Sequence, residues 1–214
     1  MATVLSPGDL AIVQYNSSTT DSFTFVFARD IEAGTVVNFT DNGWLAAGGF
    51  RPGEGTVTYT APTAITAGTV VTLTGLDLDA AGDQIIAYQG TQASPTILYL
   101  VDLADGNNTV AGDATNDNTT ALPPGLTLGQ NAVAVGFDNA IYAGPIDGSP
   151  PQLFPLISNS ANWIDGNALP RRPVISTRRT SISIPTIRRL GAPTIGQRSP
   201  MTVPRSASPI PTAT

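Results

Sequence analysis

The sequence predicts an all-β chain: a β-sandwich over residues 6–165, followed by a disordered Arg/Pro/Ser-rich tail over 171–214. Three observations carry this. Short runs of β-branched and aromatic residues alternate with polar ones, and no stretch keeps a helical period. Gly, Pro and Asn punctuate those runs at close intervals, as in sandwiches and barrels. Charge and composition also change abruptly near Pro170. Residues 1–170 hold all sixteen acids against only Arg29 and Arg51, a net of −14, while 171–214 hold eight arginines and no acid. All fourteen aromatic residues lie between Tyr15 and Trp163, so the tail has no means of building a core.

The predicted strands follow in order. Leu10–Tyr15 is the first, and the polar turn 16–21 ends it. Phe23, Phe25 and Phe27 then alternate with Thr24, Val26 and Ala28, placing three rings on one face. Thr35–Thr40 is closed by the turn residues Asp41-Asn42-Gly43, with Trp44 directly after. Thr56–Thr60, Val70–Thr74, Gln84–Tyr88, Ile97–Val101 and Ala132–Val135 complete the series, each expected to bury one face and wet the other. Residues 31–40 match 65–74 at seven of ten positions. Either this is a repeat of a larger array, or each segment solves one local problem, in which an apolar anchor and a glycine turn launch a strand. The tail has seven prolines, which forbid long helices and ladders; Ile182 and Ile184 are its only candidates for an edge strand.

Composition removes many chemistries. The chain has no His, Cys or Lys. Imidazole-assisted nucleophiles, His/Cys zinc sites, lysine phosphate loops and Schiff bases are therefore excluded. Disulfides are excluded as well. The acidic residues 1–170 repel phosphate backbones, so no nucleic acid binds through them. No apolar run reaches membrane-span length, and no charged leader with an apolar core is readable at the N-terminus.

Carboxylate chemistry survives. Glu32 and Glu54 are the only glutamates, and with Asp30 they are the candidates for a glycosidase-like hydrolase; solvated loop acids are the plainer reading. Calcium is the other option, because it takes six to eight oxygens from Asp, Asn and carbonyls. Asp102, Asp105, Asn107, Asp113 and Asp117 form one acidic loop that fits this need, and Asp77-Leu-Asp79 is a second candidate. The spacing is not that of an EF-hand. Asp41, Asn42 and Trp44 suit a carbohydrate, with the indole as a stacking platform; alternatively Trp44 anchors the core behind its turn. The pairs Arg171-Arg172, Arg178-Arg179 and Arg188-Arg189 suit an anionic polymer. Alternatively the tail lies against its own acidic domain; the plainer reading is that it has no selected role, and it can also be out-of-frame translation or the end of a gene fragment.

Gly8–Asn16, Asp21–Val26, Ile31–Trp44, Gly53–Tyr59, Ala67–Val71 and Gly82–Gly90 together resemble a module of bacterial, notably cyanobacterial, secreted multidomain proteins. That module is similar to the lamin-tail class of immunoglobulin-like sandwich. Its strongest strings here are Asp41-Asn-Gly-Trp44 and Gly82-Asp-Gln-Ile-Ile-Ala-Tyr-Gln-Gly90. The resemblance spans about residues 6–165 and implies a fold and an extracellular, cell-surface setting with protein or polysaccharide partners. It implies no catalytic residue. The expected function is a non-catalytic structural or adhesion-type module, with calcium as its one candidate cofactor.

Overall fold

In the computed structural model, which describes residues 1–103 and 110–168, two five-stranded sheets pack face to face. The strands are β1 (Leu10–Asn16), β2 (Ser22–Phe27), β3 (Val36–Thr40), β4 (Thr56–Thr60), β5 (Val70–Thr74), β6 (Asp83–Thr91), β7 (Ser94–Leu103), β8 (Ala132–Val135), β9 (Asn139–Tyr142) and β10 (Trp163–Asp165). One sheet runs β10-β9-β1-β2-β5 and is antiparallel throughout. The other runs β4-β3-β6-β7-β8 and is antiparallel except at its last pair. The all-β sandwich expected from the alternation is present, and all eight strands read from the sequence are found. The tail 171–214, with Ile182, Ile184 and the arginine pairs, lies outside the described residues.

The rings of β2 join the layers. Phe25 lies 4.6 Å from Phe39 of β3 and meets Tyr59 of β4 edge-on at 5.4 Å, while Phe23 lies 4.8 Å from Phe39. Ile85, Ala87, Tyr99 and Val101 complete the same interior from β6 and β7. On the outer side of β2, Thr24 and Thr72 pair their hydroxyls at 2.9 Å.

Strands β6 and β7 do not wet their second face. Ile86, Tyr88, Ile97, Leu100 and Ala132 form another apolar cluster there with Trp44, Ala121 and Leu126. The cause is topological. β7 and β8 are parallel, and a parallel pair needs a long crossover. The described part of that crossover, 110–131, supplies Ala121 and Leu126 to the covering cluster. A register shift between Ala87 and Tyr88 leaves Leu98 as the extra residue of a bulge, and Gly8 donates its amide to the Leu98 carbonyl at 3.1 Å.

The 31–40 and 65–74 echo is the same device used twice. Ile31 and Ile65 exchange backbone hydrogen bonds at 2.7 and 2.8 Å. Gly34 and Gly68 then turn at φ 80° and 82°, and the segments diverge, one into β3 and the other into β5 of the opposite sheet.

One helix corrects the strand-only expectation: α1 (Pro150–Ile157). Pro150 begins it with no amide to satisfy, and the Gln152 side chain accepts the Ser149 amide at 2.9 Å. Phe154 and Ile157, three residues apart, are buried against the interior. The helix delivers the Ile157 carbonyl to the Trp163 indole N–H at 2.7 Å, which fixes β10 at the sheet edge.

The ring cluster sets the first expected outcome. Phe25→Ala removes a fully buried ring that touches both layers, and destabilises the domain by about 3–5 kcal/mol in urea denaturation.

Candidate functional site

Six acids from four segments converge at one end of the sandwich. Asp41 follows β3, Glu54 precedes β4, Asp77 and Asp79 lie in the β5–β6 loop, Asp83 opens β6, and Asp117 comes from the crossover. With Ser17, Gly53, Gly55 and Asn118 they line an open cavity of about 670 Å³. The antiparallel pairing of β3 with β4 and β6 explains the meeting, because Thr40 stands opposite both Thr56 and Ile86.

The two deepest acids are built into the loops. Asp41 is 0 % exposed and accepts the Asp77 amide on Oδ2 at 3.1 Å. Asp83 is 1 % exposed; its Oδ2 accepts the Asp79 amide at 2.9 Å and its Oδ1 accepts the Gln84 amide at 2.7 Å. Gln84 ties the segments together. Its Nε2 donates to the Asp41 carbonyl, to the Asp117 carbonyl at 2.9 Å and to Asp83 Oδ1 at 3.0 Å. Asn42 closes the β3–β4 loop by accepting the Glu54 amide at 3.1 Å and donating to the Gly55 carbonyl at 3.1 Å. Three buried oxygens have no hydrogen-bond partner among the described residues: Asp41 Oδ1, Glu54 Oε2 and Gln84 Oε1.

Desolvation governs the electrostatics. It pushes the Glu54 carboxyl up to about 8, with the charges of Asp41 and Asp117 adding to the rise. It pushes Asp83 up to about 9 against the opposing amides of Asp79 and Gln84. Asp41 is raised by the same cause. Arg51 is the cation at this end, and it pairs with Asp117. Among the described residues no three acidic side chains are already gathered as a ligand set for a metal ion.

The residues picked from the sequence fall as follows. Asp105 and Asn107 lie outside the described residues. Asp102 is buried on β7 and engaged within the fold. Asp113 accepts the Ala46 and Ala114 amides at 2.7 and 2.9 Å. Of that loop, Asp117 reaches the cavity, where it meets the second candidate pair, Asp77 and Asp79. Asp30 accepts the Ala67 amide at 2.8 Å and precedes β3, as does Glu32, whereas Glu54 sits beyond the other end of that strand, roughly 15 Å away at strand rise. The fold therefore does not bring the three hydrolase candidates together. Asp41 and Asn42 are buried struts, and Trp44 is 8 % exposed, packed edge-on against Phe50 at 5.1 Å. Asp83 and Gln84 were not singled out by sequence spacing. Their signal is that two polar residues directly precede the apolar run Ile85-Ile-Ala-Tyr88.

The two strings that carry the lamin-tail resemblance meet at this site. In the first, Asp41 faces the cavity, Asn42 latches the loop, Gly43 permits close approach to the crossover, and Trp44 enters the outer cluster. In the second, Asp83 and Gln84 brace the cavity, Ile85 and Ala87 face the inner core, Ile86 and Tyr88 face the outer one, and Gln89 accepts the Leu5 amide at 2.8 Å to hold the N-terminal arm. Comparison with protein-family models, curated proteins and solved structures gives no match to this chain.

Two outcomes are expected. A Cβ at Gly43 would stand 2.9 Å from the Ala114 Cβ and still closer to the Thr119 carbonyl, so Gly43→Ala costs about 1–3 kcal/mol in urea denaturation. The second concerns pH. An unfolded chain releases carboxyl protons near pH 4, whereas the folded chain keeps those of Glu54 and Asp83 to about 8 and 9. Between those values the folded state binds more protons. Stability from these groups is thus complete below about pH 4 and is lost as pH rises through the native values. In EDTA, the urea midpoint falls from about pH 5 to pH 9, and Glu54→Gln flattens that decline.

Proposed function

We propose that this chain is a non-catalytic module of structural or interaction type, a lamin-tail-like sandwich belonging to an exported bacterial protein and serving adhesion at the cell surface. The observation that supports the non-catalytic part is the use made of the acids. The carboxylates of Asp41 and Asp83 are buried, and Asp41 Oδ2 and both Asp83 oxygens accept the amides of Asp77, Asp79 and Gln84, so they act as struts for the β3–β4 and β5–β6 loops. Trp44, the candidate sugar platform, faces Phe50 inside the outer cluster, which favours a partner that reads the loop end over one that stacks on that ring. The setting rests on the resemblance of the two strings.

Glu54 favours a second reading. Its raised carboxyl, with an unpartnered oxygen in an open acidic cavity, is the form a general acid takes in carboxylate-only glycoside hydrolysis.

One experiment separates the two. The full chain is incubated with insoluble polysaccharides and with protein-coated beads, and both retention and released reducing ends are followed. Retention on at least one polymer without release supports the module. Release of reducing ends that disappears in Glu54→Gln overturns it in favour of the hydrolase.

A further inference from the structure

We propose that the acidic cavity at the loop end is a calcium site, with Asp41 Oδ1 as its fixed inner ligand and Asp79, Asp117 and Glu54 as the arms that close on the ion. Two independent observations support this. The first is the donor set: six carboxylates and the Asn118 amide line one cavity, and this oxygen-rich lining suits a hard cation that takes six to eight oxygens at 2.3–2.6 Å. The second is Asp41 itself. It is 0 % exposed, one oxygen is committed to the Asp77 amide, the other has no hydrogen-bond partner, and the residue is part of the cavity lining. A buried carboxylate oxygen left without a donor is costly, and a bound cation satisfies it directly.

Space beside that oxygen is provided by Gly55. A Cβ there would lie 3.5 Å from both Asp41 oxygens, in ordinary contact, so a methyl group at this position occupies the approach to the carboxylate without strain. The remaining acids lie nearer the surface: Asp77, Asp79 and Asp117 are exposed and Glu54 is half-buried. Asp79 Oδ1 accepts the Ala81 amide at 2.8 Å and Asp117 pairs with Arg51, so closing on the ion requires Asp79 to turn its other oxygen inward and Asp117 to exchange Arg51 for calcium. Calcium is favoured over magnesium here. Calcium accepts an irregular shell from several loops, whereas magnesium demands a near-ideal octahedron and gives up its water reluctantly.

The site is not the loop that sequence spacing picked out. It takes Asp117 from that loop and leaves Asp113, whose Oδ1 accepts the Ala46 and Ala114 amides. Bound calcium would join the β3–β4 loop, the β5–β6 loop and the crossover. This gives the structural reading a ligand but does not depend on it, since a hydrolase can carry the same ion.

The test uses the full chain freed of metal with EDTA and then dialysed. Calcium chloride and magnesium chloride are titrated by calorimetry, and thermal unfolding is followed alongside. For a site of about 0.1–1 mM affinity, calcium at about 10 mM raises Tm by about 3–10 °C, and magnesium at the same concentration raises it far less. Asp79→Asn and Gly55→Ala, which leave the buried struts in place, each weaken binding at least tenfold, and Asp113→Asn leaves it unchanged. Asp41→Asn also loses the response; if that variant fails to fold, Asp79→Asn and Gly55→Ala carry the test. The absence of any calcium-dependent heat or Tm shift overturns the proposal. So does a response that survives Asp79→Asn and Gly55→Ala but is lost in Asp113→Asn. The polymer-retention assay is scored separately, so failure of the ion site and failure of the module reading are distinguishable.

Discussion

The contact of Phe25 with Phe39 across the two layers is the interaction on which the rest of this structure depends. Each ring belongs to a different sheet, and the strand that bears Phe39 runs directly into Asp41 at the acidic cavity. Rings bury large apolar areas at low entropic cost, so a few such contacts fix the sheets face to face. With the layers fixed from within, the ends of β3 and β6 are held adjacent whatever their own polar content. That allows the loop end to bury carboxylates, a group a small domain ordinarily excludes from its interior.

Gln84 shows how the burial is organised. An amide nitrogen has two protons, and here three acceptors surround it: the Asp41 and Asp117 carbonyls and the Asp83 carboxylate. The surroundings fix which end of the amide faces them, because reversing it would set an oxygen against three oxygens. The strut therefore locks the strand end, the turn after β3 and the crossover into one arrangement. Asn42 does the same within the β3–β4 loop, through Glu54 and Gly55. This explains why short strings such as Asp41-Asn-Gly-Trp44 are dense in meaning: Asp41 serves Asp77, Asn42 serves Glu54 and Gly55, Gly43 lies against Thr119, and Trp44 packs on Phe50.

The sandwich was legible because strand alternation is a local property. β4, β5 and β8 were read to their observed limits, and the others within a few residues. β9 and β10 were missed because Asn139-Ala-Ile-Tyr142 and Trp163-Ile-Asp165 lack the repeated valines of the equally short β8; they exist through pairing with β1 and with each other. α1 carried a signal, the Ser149-Pro-Pro-Gln152 start, but Pro155 inside an eight-residue helix masked it. The second apolar layer could not be read, since it depends on where a crossover returns. The candidate site was legible only in pieces. Asp41 was noticed beside a tryptophan, Glu54 as a rare glutamate, and Asp77, Asp79 and Asp117 as loop acids. Sequence spacing groups neighbours along the chain, whereas this site gathers residues more than seventy positions apart.

The missing residue types constrain how such a cluster can be neutralised. With no lysine or histidine in the chain, nearby compensation falls to Arg51, which is committed to Asp117. Protons are the next resource, and the raised carboxyls of Glu54 and Asp83 show that burial already draws on them. A proton, however, satisfies one carboxyl at a time and leaves the buried oxygen of Asp41 beside other negative groups. A divalent ion neutralises two charges at once and supplies the missing partner. An ion bound there would tie the β3–β4 loop, the β5–β6 loop and the crossover to one charge balance, because each of the three contributes a carboxylate to the same cavity.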